Sequence, residues 1–507
     1  MVAIKLIRQD DFTGGLNLRA DPFQLAENES PDMLNVEVDP RGGFFTRDGA
    51  LSMNTTRIGG IADFAFTPDS LVNWSRGSAQ LVAGAGTSVF YSTDGATWVD
   101  TTISVGAGSG ATFAPWSGAS SDVLYVSCGS TGTQMAKWSG SSKTLLTASG
   151  AGAWQESLTS PSGSHMPKAD FVASHVDRMW VASTNEGGTV YPNRVRFSHP
   201  NFPESWRSSD YIDIVSGGSG ITALVPFGDS LLVFKRNSIH AIYGVSTDNF
   251  QVVMLTTELG TPSFRAVATA ENRIFFFDWP RGVFSWNGRQ FDDLFVKLRP
   301  AIQKGELTAT TPGKSFLSWS RDRLWLSPYT AASPAGVKTT FMFDPTVQAW
   351  TKFTLGDGYG IGPQTDFVKS NGERLYVGLH GARPYCLKLD DTGLESDSIG
   401  GVSVGFESRY TTRWYDGGVV SQKKAWRQPD FVVGQVLTDL PLTIEVFRDW
   451  EEAAPRRTQT LLVNGTGVGL IWAGEAAEPD GIPGWGEAVW SEGVAGSQHE
   501  RGQRLGR

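Results

Sequence analysis

The sequence predicts an all-β chain: a β-propeller of about seven blades, followed by a small β-sandwich or jelly-roll-like unit. Three observations predict it. A short apolar strand phrase recurs at a nearly even period, a second short strand follows most copies across a polar turn, and glycine and aromatic residues are both abundant.

The phrase reads QLVAGA from Gln80, DVLYVSCG from Asp122, DRMWVAS from Asp177, DSLLVFK from Asp229, NRIFFFD from Asn272, DRLWLSP from Asp322 and ERLYVGL from Glu373. Taking Leu81, Leu124, Met179, Leu231, Ile274, Leu324 and Leu375 as markers, successive copies lie 43 to 55 residues apart. Second strands are read at 89–93, 135–140, 239–244, 283–288, 340–345 and 386–390. Two such hairpins make a four-stranded sheet of blade size. A sheet that small cannot bury its own faces, so it must stack on neighbours, and radial closure leaves few open edges. Two or three consecutive sandwiches are the alternative, but sandwiches seldom repeat one hairpin phrase so evenly.

The chain opens with a short apolar run, MVAIKLI, too short for a secretory core, so the start reads as mature protein. DFTGGLN follows at 11–17, and NVEVDPRGGFFTRDG at 35–49. NVEV and FFTR are alternating runs about a DPRGG turn, so 35–48 reads as a β-hairpin, expected to give an outer strand to the last blade or to complete the first. From about 403 the strands lengthen and charged turns separate them, as in LTIEVFRD from Leu442 and TQTLLV from Thr458. The expected organisation is a closing strand or hairpin at 1–50, the propeller at 51–400, the sandwich at 401–465 and an arm or interface segment at 466–507.

Composition narrows the functions. There are 43 Lys and Arg against 52 Asp and Glu, a formal net charge of −9, which argues against a surface that coats nucleic acid. Cys128 and Cys386 are the only cysteines; both sit in apolar runs and read as small buried hydrophobes. No apolar run reaches the length of a membrane-spanning helix.

The most enzyme-like phrase, YSTDGATW from Tyr91 to Trp98, resembles the Asp box of sialidase-type propellers with one residue missing between Asp94 and Thr97. Such a box is structural: the carboxylate accepts backbone N–H groups in the turn while the Trp packs beneath. A glycosidase would further need two carboxylates facing each other across a central pocket. His165, His175, His199, His240, His380 and His499 show no metal-binding spacing. Gly106, Gly108 and Gly110 lack the following helix a phosphate cradle needs, and read as loop. Trp74, Trp98, Trp116, Trp138, Trp286 and Trp350 could serve blade packing, glycan platforms or subunit contacts. Lys423, Lys424, Trp426 and Arg427 place three positive charges around an indole and form the candidate interface. No catalytic residue, cofactor or metal is expected.

Three separated phrases agree in order with a known family: DFTGGLN with NVEVDPRGGFFTRDG, then TELGTPSFRAVATAENRIFFFDWPRGVFSWNG from Thr257, then RWYDGGVVSQKKAWRQPDF from Arg413. The succession resembles the tail proteins of short-tailed bacteriophages, especially the propeller-bearing tubular or nozzle proteins and the related DNA-stabilising plug proteins. The resemblance implies a non-enzymatic component of the virion tail, assembled in the host cytoplasm. It implies a homo-oligomeric ring of six below the portal and adaptor, with tail fibres or spikes as neighbours and double-stranded DNA passing during genome ejection. Receptor or glycan binding by the same particle is the second class, and a propeller glycosidase the third.

Overall fold

A computed structural model describes residues 9–415 apart from short gaps at 77, 118–121, 149–153, 158–164, 271, 306, 332–333 and 391. Beyond these it describes 440–447, 455–463, 475–477 and 483–485. The chain divides into two compact units, Met1–Tyr415 and Asp416–Arg507.

The first unit is a seven-bladed, mostly antiparallel propeller. Blade one runs through Pro68–Arg76, Ser78–Ala85, Ser88–Ser92 and Val99–Ser104. Blade two runs through Phe113–Ser117, Asp122–Val126, Ala136–Trp138 and Lys143–Leu145. Lys168–His175, Arg178–Glu186, Thr189–Phe197 and Tyr211–Asp213 make blade three. Blade four is Ile221–Phe227, Ser230–Lys235, Ile239–Tyr243 and Gln251–Thr256. Blade five is Val267–Ala270, Arg273–Asp278, Gly282–Trp286 and Phe291–Asp293.

Blades six and seven have six strands each. Phe316–Ser320, Arg323–Ser327, Thr340–Asp344 and Ala349–Phe353 form the body of blade six, and Asp32–Leu34 and Arg409–Thr411 extend it. Ile361–Val368, Arg374–His380 and Cys386–Lys388 form blade seven up to its third strand. Leu51–Ser52 is then its fourth strand, followed by Asp397–Ile399 and Val402–Val404.

All seven marker residues fall on the second strand of a blade and are buried. That strand is covered on both faces. Within it, neighbouring residues point to opposite sides: Leu231 enters the apolar cluster shared with blade three, and Leu232 the one shared with blade five. Leu124 and Tyr125, Met179 and Trp180, Ile274 and Phe275, and Leu324 and Trp325 divide in the same way. A strand buried on both faces must be apolar without interruption, which is why the phrase repeats so visibly. Seven major clusters result among the described residues, one at each blade–blade interface, including the closing one between blades seven and one that holds Leu81, Phe90, Phe367 and Leu375.

The segment 35–48 forms the hairpin Val36–Val38 with Phe44–Thr46, its turn closed by the Asp39 N–H to the Gly43 carbonyl at 2.8 Å, with Gly42 in the left-handed region at φ 110°. The hairpin strands pair only with each other. The strands on either side of it carry the N-terminal segment into the ring: Leu34 pairs in parallel with Lys352 of blade six, and Leu51 and Ser52 pair with Lys388 and Leu387 of blade seven. Arg47 pins this arrangement. Its guanidinium meets both carboxylate oxygens of Asp397 at 2.8 Å, donates to the carbonyls of Asp48 and Thr354, and lies between the rings of Phe353 and Phe406. Asp397 also accepts the N–H groups of Ala50 and Gly356, so a fully buried ion pair is satisfied on both sides.

Val402–Val404 and Arg409–Thr411, read from sequence with the following unit, hydrogen-bond to the outer edges of blades seven and six. Asp32 and Arg409 draw this strand in by an ion pair that no local sequence pattern announces. In the second unit the described residues form two antiparallel hairpins, Leu440–Val446 with Arg457–Val463 and Glu475–Ala477 with Pro483–Trp485.

Candidate interaction surface

Lys423, Lys424, Trp426 and Arg427 lie outside the described residues. Within the propeller, three polar clusters join ionisable side chains.

At the axis, the turn Phe264–Ala266 ahead of blade five aims Arg265 at Asp69 on the first strand of blade one, with Nη2 to Oδ1 at 2.5 Å. Blades five and one are not neighbours, so the guanidinium lies across the centre of the ring. A Cβ on Gly110 would stand 2.1 Å from Arg265 Nη2, which explains a glycine there, in the loop the sequence suggested. Burial pushes the Asp69 carboxyl above its usual value, and the Arg265 charge only partly opposes this. The second cluster pairs Ser238 Oγ with His240 Nε2 at 3.1 Å beside Lys235, whose Nζ donates to the Ser216 carbonyl at 2.7 Å. All three side chains are buried, and burial pushes Lys235 and His240 down. In the third, His380 Nδ1 accepts the N–H groups of Ala382 and Arg383. That assignment leaves Nε2–H to donate to Asp357 Oδ2 at 3.0 Å. Partial burial works against the Asp357 charge, but the bond from His380 and the charge of Arg383 hold its carboxyl below the usual range. Among the described residues no group of three or more His, Cys, Asp and Glu could hold a metal ion.

The Asp-box phrase behaves as a turn. Asp94 Oδ1 accepts the N–H groups of Ala96 and Thr97, both at 2.8 Å, and the Ser92 hydroxyl, while Trp98 Nε1 donates to the Gly95 carbonyl. Trp74, Trp138, Trp286 and Trp350 are buried in the blades, and Trp98 and Trp116 are half-buried. These six indoles are blade packing. Cys128 and Cys386 are buried free thiols, pushed up by burial to about 11 and about 12.

The outer wall of blades three and four is different in kind. Many of the exposed large hydrophobic side chains gather between 190 and 254: Val190, Phe202, Tyr211, Val215, Val245, Val252, Val253 and Met254. Among the described residues the outer strand of blade four, Gln251–Thr256, has no further strand beside it, and Met254 is 50% exposed. An edge strand is ordinarily protected by a charge or a cover. The outer strands of blades one, two, three and five carry Asp100, Lys143, Asp213 and Asp292 with Asp293, and blades six and seven are covered. Blade four's edge has neither device.

Beside that edge a cleft of about 350 Å³ is lined by Phe197, Tyr211, Ile212, Phe250 and Val252, with Arg207 and Asp210 among its polar groups. Its floor is rigid. Phe197 and Phe250 meet edge to face at 5.0 Å, both rings touch Trp180, and the buried Arg178 guanidinium lies 5.4 and 5.7 Å from their centres. Along the blade-three side, Arg194 sits between the rings of Tyr191 and Tyr211 at 3.9 and 4.0 Å and pairs with Asp213 and Glu186. The cleft is mixed, with Arg207, Ser209, Asp210 and Thr247 beside the rings, and tyrosine, tryptophan and arginine are among the residue types that carry binding energy at protein interfaces. In sequence, QVVMLT from Gln251 already departs from the apolar–polar alternation of a half-exposed strand, and that was the available signal for this wall.

No family model matches the chain, and no curated protein does. Solved structures resemble it at low identity. Virginiamycin B lyase from Staphylococcus aureus matches with a TM-score of 0.38 at 9% identity, over 64% of this chain and 95% of its own. The extracellular domain of a protein described as a one component system of B. thetaiotaomicron matches at 0.43 and 9%, over 89% of this chain and 61% of its own. A computationally designed protein matches at 0.36 and 10%, over 67% and 99%. Likenesses this distant concern the architecture alone.

Proposed function

We propose that this chain is a structural protein of the tail of a short-tailed bacteriophage. In this reading it forms part of the tube or nozzle below the portal and adaptor, as a ring of six copies through which the genome leaves. It acts without catalysis, cofactor or metal. The second unit, read as a small β-sandwich, and the Lys423, Lys424, Trp426 and Arg427 cluster would contribute contacts between neighbours.

One observation carries the reading. The regions around the first and last of the phrases on which the family resemblance rests, about 400 residues apart, come together on one edge of the propeller. Phe12 of DFTGGLN and Phe44 of the hairpin pack on Tyr410, with ring centres 4.9 to 5.0 Å apart. Phe23 stacks on Trp414 of the RWY phrase, and Arg413 donates to the Leu25 carbonyl and pairs with Glu27. The resemblance thus falls in part on two distant chain regions that meet in one joint. An acidic chain also suits a conduit, because each phosphate a wall neutralises would add salt-dependent affinity and slow the DNA.

Mass photometry of the full-length chain tests the proposal. A species at six times 54.8 kDa is the expected result, and monomer alone across the accessible concentration range would overturn the ring.

A further inference from the structure

We infer that the bare edge of blade four receives the hairpin strand Phe44–Thr46 of a second copy, with Phe45 seated in the adjoining cleft. The inference rests on the ring reading and names the surfaces that would close it.

Among the described residues one molecule carries two open strand edges. Gln251–Thr256 is the last strand of its sheet, and Phe44–Thr46 belongs to a sheet of two strands. Each open edge leaves a row of backbone N–H and C=O groups that a strand from another chain can satisfy. Both edges also carry exposed large apolar side chains. Phe44 and Phe45 are 41% and 49% exposed on the donor, and Val252 and Val253 are each 43% exposed on the acceptor.

The two edges cannot meet within one copy. The hairpin is tied to blade six through Phe44 on Tyr410, and Arg47 at its end is bound to Asp397. Blade four lies two places around a seven-membered ring from blade six, with blade five between. Contact between them must therefore join different molecules. Because donor and acceptor are different patches, that contact is heterologous, the type that generates closed rings or open filaments rather than paired dimers.

Shape and chemistry agree. The cleft of about 350 Å³ has aromatic and aliphatic walls from Phe197, Phe250, Ile212 and Val252, suited to a phenyl ring meeting aromatic neighbours edge to face. At its polar side Arg207 lines the cleft, and its Nε has no hydrogen-bond partner among the described residues. The strand and the ring thus answer two separate deficits of the same wall.

Engineered thiols test this directly, since the native Cys128 and Cys386 are both buried. Phe45→Cys and Val252→Cys proteins are made separately, mixed and oxidised mildly. A cross-linked dimer on a non-reducing gel is expected from the mixture and from neither protein alone. In parallel, Phe45→Asp and Val253→Asp are expected to turn rings into monomers at least tenfold more readily on dilution, with unchanged melting. Rings that persist in both variants, with no cross-link in the mixture, would overturn this inference and leave the ring reading standing. Wild-type protein that is monomeric throughout would remove the ring reading itself. Open filaments lost in both variants would support the docking pair.

Discussion

The propeller treats its edges in two opposite ways. At blades six and seven the chain covers its own sheet edges with five short strands, 32–34, 51–52, 397–399, 402–404 and 409–411, locked by charge. At blade four an uncharged apolar edge stands open beside an aromatic cleft. The first region is paired within the chain; the second is the surface we propose for association. Substitutions in the two regions should therefore separate folding from assembly.

The largest effect is expected from deleting residues 1–50. It removes the fifth strand of blade six and one member of the Arg47–Asp397 pair, and it cuts the chain just before the Leu51–Ser52 strand. Urea unfolding should lose its cooperative transition or move it to much lower denaturant; an unchanged midpoint would contradict the closing role. Asp397→Asn comes next. It leaves the buried Arg47 charge uncompensated and should cost about 3–5 kcal/mol by chemical denaturation. Leu231→Ala, in the core beneath the open wall, is expected to cost about 2–5 kcal/mol through the cavity it leaves, without changing which surfaces associate.

Acid should weaken the covered region through Asp32. Burial raises the cost of ionising Asp32, but Lys352 at 2.6 Å and Arg409 at 2.7 Å outweigh it and hold its carboxyl below the usual value. A folded-state value below the unfolded one means the contribution is complete above the ordinary aspartate pKa of about 3.9 and is lost as pH falls through the folded value. Melting followed from pH 5 downward should lose stability less steeply in Lys352→Met than in the native protein, because its Asp32 has less depression to lose. The smallest effect on folding belongs to the wall: Val253→Asp should shift stability by no more than about 0.5 kcal/mol, while abolishing association.

How much of this could be read beforehand follows from where each interaction lies along the chain. The seven second strands were legible because burial on both faces forces an uninterrupted apolar phrase, as at Leu231-Leu232-Val233-Phe234. The Asp94 turn was legible because its partners, Ala96 and Thr97, are two and three residues away. Arg47 and Asp397 are 350 residues apart and carry no shared local pattern, so their pairing could be seen only in the folded chain. The hairpin at 36–46 is visible in its alternation and turn, yet the strands that join the ring are the short flanking ones, two or three residues long, below the length at which periodicity speaks. The aromatic cleft was hidden for a related reason: Phe197, Tyr211 and Phe250 come from two blades.

Hydrogen–deuterium exchange on assembled and dissociated protein tests the contrast between the two regions most directly. The account predicts that amides at 32–34 and 51–52 stay protected in both states, while those at 251–256 exchange quickly in the monomer and become protected only on assembly. Equal protection of 251–256 in both states, or free exchange at 51–52, would contradict it.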